Sequence, residues 1–129
     1  MKRFENRVAL ITGSTSGMGQ QMAKQLLEEG ASVVINYAHN EENAKSTMEL
    51  LKNYENNILL IKADISKEDE VKLMFQKIEE RFGKLDFLVN NAAYDKILSL
   101  EDLTPEEFRK ELDVNLVARW MCTKYAVPK

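Results

Sequence analysis

The chain has 129 residues, 44% of them hydrophobic and 30% charged, with a formal charge of −3; that is the size of one domain and the balance of an ordinary globular protein. The mild acidity, without a basic run or an interleaved aromatic stripe, argues against a nucleic-acid partner. One cysteine, Cys122, excludes an internal disulfide and a cysteine metal cluster and suits a reducing, cytoplasmic setting; no apolar stretch reaches the ~18 residues of a membrane span, and residues 1–6 lack a signal-peptide core.

Short apolar runs then alternate with helical periodicity. The first strand is expected over residues 7–12, where Val8-Ala9-Leu10-Ile11 runs straight into Thr12-Gly13-Ser14-Thr15-Ser16-Gly17-Met18-Gly19. Residues 20–29 read as a helix. Such a unit aims the unpaired N–H groups and the positive dipole end of the helix at the strand's carboxyl end, which favours a bound phosphate. Gly13 supplies the sharp turn, Gly17 lets a ligand approach the backbone, and Gly19 allows close helix–strand packing. The implied ligand is a dinucleotide.

Further strands are expected over residues 31–37, 57–62 and 85–90, rich in Val, Ile and Leu as strands buried on both faces are. Asn40 is placed to cap the second helix, which carries Ala44, Met48 and Leu51 on one face. Ser66, with Asp69 three residues on, reads as the cap of the third, whose apolar face is Val71, Met74, Phe75, Ile78 and Phe82. Gly30 and Gly83 fall where helices end. Thr104-Pro105-Glu106-Glu107 is a capping box with proline at the first helical position, opening a helix towards Leu112. A further helix is expected over residues 114–126, stopped by Pro128.

This alternation, with right-handed crossovers, gives an α/β fold, an open parallel sheet with helices on both faces. If it is the first part of a doubly wound sheet, a partial Rossmann-type sheet of four strands in the order 3-2-1-4 follows. The ligand cleft then lies between the carboxyl ends of strands 1 and 4. Asn115 is unusual for mid-helix, because asparagine is a poor helix former and its amide needs partners when buried. His39 reads as a solvated loop residue, and Trp120, Met121 and Tyr125 as packing surface.

Four motifs occur in register: Thr12-Gly13-x-x-x-Gly17-x-Gly19, Asp64 after the third strand, Asn90-Asn91-Ala92 ending the fourth, and Asn115 in Leu-Asp-Val-Asn-Leu. Together they resemble the N-terminal half of the short-chain dehydrogenase/reductases, NAD(P)-dependent oxidoreductases that reduce carbonyls by hydride transfer. Val33-Val34-Ile35-Asn36-Tyr37-Ala38 and Ala63-Asp64-Ile65-Ser66 look most like the oxoacyl–carrier-protein reductases among them. The resemblance implies that Gly13, Gly17 and Gly19 line the pyrophosphate, with Met18 beside them and hydroxyl donors from Ser14 and Ser16. It implies that Asp64 accepts from the adenine amino group, that Ile65 lies beside the ring, and that Asn90 and Ala92 border the ribose. Asn115 would be the member of the catalytic tetrad that holds a water in a proton relay. Ala93 departs from the family's usual glycine and would crowd the backbone near the nicotinamide ribose.

An acidic residue at the end of strand 2 would bond the ribose hydroxyls of NAD and repel the extra phosphate of NADP. Residues 36–40 carry none before Glu41, so the lean is slightly towards NADP over NAD. Ser16 stands where many NADP-preferring relatives carry a base, which leaves His39 as the nearby partner for that phosphate.

The resemblance further implies that residues 1–129 are a single incomplete dinucleotide-binding domain, truncated before strand 5, without the family's catalytic serine and Tyr-x-x-x-Lys pair. Tyr125-Ala126-Val127-Pro128-Lys129 matches that pattern, but Pro128 spoils the helical turn that would align the two side chains. The chain alone is therefore expected to be inactive. Strand 4 would be an open sheet edge and the last helix a bare apolar face, so a homo-oligomer through either is expected. The alternative is a non-catalytic nucleotide-binding or self-associating interaction module.

Overall fold

The computed structural model describes residues 2–128. Four parallel strands form one sheet in the order β3-β2-β1-β4, as expected from the alternation. They are β1 (Val8–Ile11), β2 (Ser32–Tyr37), β3 (Ile58–Lys62) and β4 (Phe87–Val89). The register sets Leu10 beside Val34 on one side and Leu88 on the other. All of β1 is buried, because strands flank it and helices cover both its faces.

The period-two alternation of strand side chains divides the core between the two faces. Ile11, Val33 and Ile35 pack on one face with Ala23 and Leu27 of α1 (Gly17–Glu28) and with Leu51, which ends α2 (Glu41–Leu50). Val8, Leu10, Val34 and Ile61 pack on the other face against α3 (Glu68–Phe82) and α5 (Ala118–Ala126). There they meet Val71, Met74, Ile78, Ala118 and Cys122. Each such aliphatic side chain fully buried stabilises by about 1.5–3 kcal/mol. Burial pushes the Cys122 thiol up to about 11, so it remains an inert apolar filler.

Several local expectations change. Helix α1 starts at Gly17 rather than at residue 20, because Gln20 N–H already donates to Ser16 O at 3.2 Å. Asn40 caps α2 by accepting from Asn43 N–H at 2.9 Å, as the sequence suggests. Ser66 does not cap α3. Its hydroxyl donates to the Asp64 carboxylate at 2.7 Å, a stronger charge-assisted partner, and the helix begins beyond Lys67 without a side-chain cap. Three acidic residues, Glu68, Asp69 and Glu70, sit in its first turn, where the dipole favours them.

The capping box at Thr104 is half realised. Thr104 Oγ1 accepts from Glu107 N–H at 3.1 Å, but the Glu107 carboxylate accepts from the Tyr94 hydroxyl instead of reaching back. Helix α4 (Pro105–Leu112) does not stop at Leu112 either. A π turn over Asp113–Val117 joins it to α5, so the two expected helices form one rod that ends before Pro128. No glycine or proline interrupts that stretch, and the wide turn holds Asn115. Among the described residues, no helix is long and apolar enough to cross a membrane.

Candidate functional site

The carboxyl ends of the strands open into a cleft of about 1050 Å³ with three walls. The floor is the turn after β1. Gly13 has φ +60°, and a Cβ there would lie 2.8 Å from Ala92 Cα, so only glycine lets the turn pass the segment after β4. Gly17, at φ +53°, has no atom within 4 Å of where a Cβ would be and borders open space. Ser16, Gly17 and Met18 line the cleft. No side chain caps α1 and no acid sits in its first turn, so its leading N–H groups keep their capacity for an anion.

The second wall joins residues 36–40, after and at the end of β2, to Asp64, Ile65 and Ser66 beyond β3. Burial raises the Asp64 carboxyl's affinity for its proton. The opposing bonds from the Ser66 hydroxyl and amide, with the nearby His39 and Lys67, hold it below the usual carboxylate range. Asp64 is therefore ionised, with Oδ2 3.9 Å from His39 Nε2.

The third wall is residues 91–94 together with Glu106, Arg109 and Lys110 of α4. Thr12 Oγ1 accepts from the Asn91 and Ala92 N–H groups, each at 3.0 Å. Asn91 Nδ2 donates to Thr12 O and Gly13 O at 3.1 and 3.0 Å, locking this wall to the floor. Tyr94 is held from the far side. Its N–H donates to Asn115 Oδ1 at 2.8 Å, its carbonyl accepts from Asn115 Nδ2 at 2.7 Å, and Lys110 lies 4.2 Å over its ring. The Tyr94 hydroxyl, first, and then Lys96 and Lys110 keep Glu107 below the usual range against a smaller cost of burial.

The model of the short chain dehydrogenase family matches residues 7–129. The chain belongs to that family. A 3-oxoacyl-[acyl-carrier-protein] reductase of Staphylococcus epidermidis is 36% identical over 124 residues, 96% of this chain and 51% of the relative. A short chain dehydrogenase from Burkholderia cenocepacia, solved in complex with NADP, superposes with a TM-score of 0.89 at 33% identity, covering 96% of this chain and 51% of that one. A 3-ketoacyl-(acyl-carrier-protein) reductase from Brucella melitensis, complexed with NADH, gives 0.86 at 36% identity over 97% and 50%. The chain spans about half the length of the curated relatives it matches.

The fold gathers Gly13, Ser16, Gly17, Met18, Asp64, Ile65 and Ala92 around one cleft. Four other expected residues lie outside its lining. Ser14 is fully buried, and its hydroxyl donates to Ile11 O at 2.7 Å, so it offers a ligand nothing. Gly19 packs behind the turn, where a Cβ would meet Asn91 Nδ2 at 2.5 Å. Asn90 points away to α5, its Nδ2 donating to Thr123 Oγ1 at 3.2 Å, while its neighbour Asn91 faces the cleft. Asn115 uses both ends of its amide on the Tyr94 backbone. The Tyr125 hydroxyl donates to Glu68 at 2.9 Å, and Lys129 lies outside the described residues.

Sequence reasoning gave no role to Thr12 or to the Tyr94 side chain. It also passed over Asn36, which is 2% exposed within β2. A signal existed: asparagine is depleted in strands, so one inside a Val/Ile run asks for a reason.

Proposed function

We propose that this chain is the dinucleotide-binding half of an NAD(P)-dependent oxidoreductase that reduces carbonyls, its residues 1–129 forming one incomplete cofactor domain. The carrying observation is the uncapped N-terminus of α1, with Gly17 open beside it, facing a cleft of about 1050 Å³, room enough for a dinucleotide. The pyrophosphate takes the N–H groups at Ser16, Gly17 and Met18. Asp64 accepts from the adenine amino group, Ile65 lies against the ring, and Ala92 borders the nicotinamide ribose. Bound cofactor would supply hydride chemistry. Asn115 serves the site by fixing the backbone of Tyr94, which keeps the third wall in place. The 3-oxoacyl-carrier-protein reductases among the relatives make the keto group of an oxoacyl chain the favoured substrate class.

The cofactor is NADP rather than NAD, by a small margin. Residues 36–40 present no carboxylate to a 2′-phosphate, and His39, its side chain 80% exposed, stands at that end of the cleft. The buried thiol of Cys122 fits a reducing, cytoplasmic setting. Calorimetric titration should give NADPH binding at least as tight as NADH, and Gly17→Ala, strained by roughly 1–2 kcal/mol at its positive φ, should weaken both. No heat with either coenzyme would defeat the reading. With a short oxoacyl substrate these 129 residues should bind cofactor without turnover.

A second reading, self-association, is favoured by one feature. Phe108, Leu112, Leu116 and Trp120 recur every fourth residue along α4, the π turn and α5, with 51%, 41%, 63% and 59% of their surfaces exposed. We propose that a second copy covers this stripe. Sedimentation should show a dimer that Leu116→Glu dissociates; a monomer at micromolar concentration would end the proposal.

A further inference from the structure

Among the described residues, Asn36 is the one buried asparagine, and its side chain bridges two walls of the cleft. Its Oδ1 accepts from Gly13 N–H at 3.1 Å, on the phosphate floor. Its Nδ2 donates to Ala63 O at 3.1 Å and to Ile61 O at 3.4 Å, where β3 runs into the Asp64 loop. The backbone adds a second staple: Asn36 N–H donates to Ser14 Oγ at 3.0 Å, and Ser14 N–H donates to Asn36 O at 2.9 Å. The Ser14 hydroxyl passes the connection on to Ile11 O at 2.7 Å. Every polar atom of the Asn36 amide is thus spent between the glycine turn and the adenine wall.

Such a side chain is costly in a Val/Ile strand, since a buried amide that lacked any of these partners would destabilise the sheet. An apolar residue of the same size would fill the space. What it could not do is claim Gly13 N–H from one side while Asn91 Nδ2 holds Gly13 O from the other. The turn carries φ +60° at Gly13, and its pitch decides where the N–H groups at Gly17 and Met18 point.

We propose that Asn36 is a positioning residue that sets the glycine turn for a diphosphate and ties its pitch to the adenine wall; this deepens the dinucleotide reading above and rests on it. A ligand that has only adenine should sense Asn36 through one wall, and a ligand that adds phosphates should sense it through both. The quantity that isolates the turn is the gain in affinity from adenosine to ADP.

The test measures Kd for adenosine, ADP and NADPH on the full chain and on three variants. Asn36→Leu removes every side-chain hydrogen bond. Asn36→Ser is milder, leaves a hydroxyl that reaches at most one partner, and guards against a failure of Asn36→Leu to fold. Met74→Ala, at a fully buried side chain on the inner face of α3, lowers stability away from the turn. The expected result is a gain from adenosine to ADP that falls about tenfold in Asn36→Leu and severalfold in Asn36→Ser. Met74→Ala should leave the gain unchanged despite its lower melting temperature. Asn36 variants that keep the wild-type gain would overturn the positioning role and leave dinucleotide binding intact. A wild-type chain that binds neither ADP nor NADPH would overturn both.

Discussion

The two flanks of the cleft are built differently. On the β2–β3 side, the inner residues of β2 from Val33 to Asn36 are all buried, and the strand pairs with β3 over five registered positions and with β1 over four. On the β4 side, the strand is three residues long and pairs at three positions; Phe87 is 37% exposed, and α4 buries no residue at all. The first flank is held by apolar core, with the Asn36 amide as its one buried side-chain tie to the glycine turn. The second is held by named polar ties: Thr12 and Asn91 at the floor, Asn115 on Tyr94, and α5 packed on α3 through Ala118 and Cys122. The β2–β3 wall therefore rests on packed strands plus one amide bridge, whereas the wall after β4 depends mainly on a few hydrogen bonds. Stability is concentrated on one flank and adjustability on the other.

This contrast can be broken by unequal substitutions. Leu27→Ala, in the core behind the first flank, should lower unfolding free energy by about 2–5 kcal/mol in a urea titration. Phe108→Ala, half exposed on the second, should shift it by no more than about 1 kcal/mol when the titration is run dilute enough for the chain to be monomeric. Comparable losses would mean that α4 is as firmly packed as α1.

Asn115→Ala falls between these. Leaving the Tyr94 N–H and carbonyl unpaired should cost about 1–3 kcal/mol. The loss should be local: amide exchange should accelerate over residues 93–104 and stay slow in β1 and β2. Uniform acceleration would show that the tie supports the whole fold.

The smallest effect is acid dependence at the foot of β4. Asp86 sits below the ordinary carboxylate range, first because Val8 N–H donates to it at 2.8 Å and then through Lys84 and Arg7, which together outweigh burial. A carboxyl lowered on folding stabilises at a pH above its unfolded value, and that contribution disappears as pH falls through the folded value. The urea midpoint should therefore drop on going from neutral pH into the acid range, and Asp86→Asn should flatten the drop. An unchanged slope would place the acid sensitivity elsewhere, with Glu107 and Asp64 the next candidates.

How far the sequence reaches follows the same division. The order β3-β2-β1-β4 and the core faces of α1 and α3 were legible because burial imposes periodicity, and periodicity is a local property. The glycine turn was legible because positive φ and close approach select one residue type. The Ser66 cap failed because both its hydroxyl and its N–H donate to the Asp64 carboxylate, which closes a turn before Lys67, beyond which α3 begins. The break expected after Leu112 failed because no glycine or proline stands there and a π turn over Asp113–Val117 carries the helix on into α5.

Sequence by itself determined the parallel sheet, the family and the cluster of motifs at one end of it, since these depend on spacing along the chain. Only the tertiary structure decided which polar side chains face the cleft. Ser14 is spent on nearby Ile11 O and on Asn36 N–H of β2, Asn90 on Thr123 and Asn115 on Tyr94, whereas Asn91 is tied to the floor. All of these partners except Ile11 come from segments far away along the chain. A side chain's direction is settled by what lies across from it, and no local pattern carries that information.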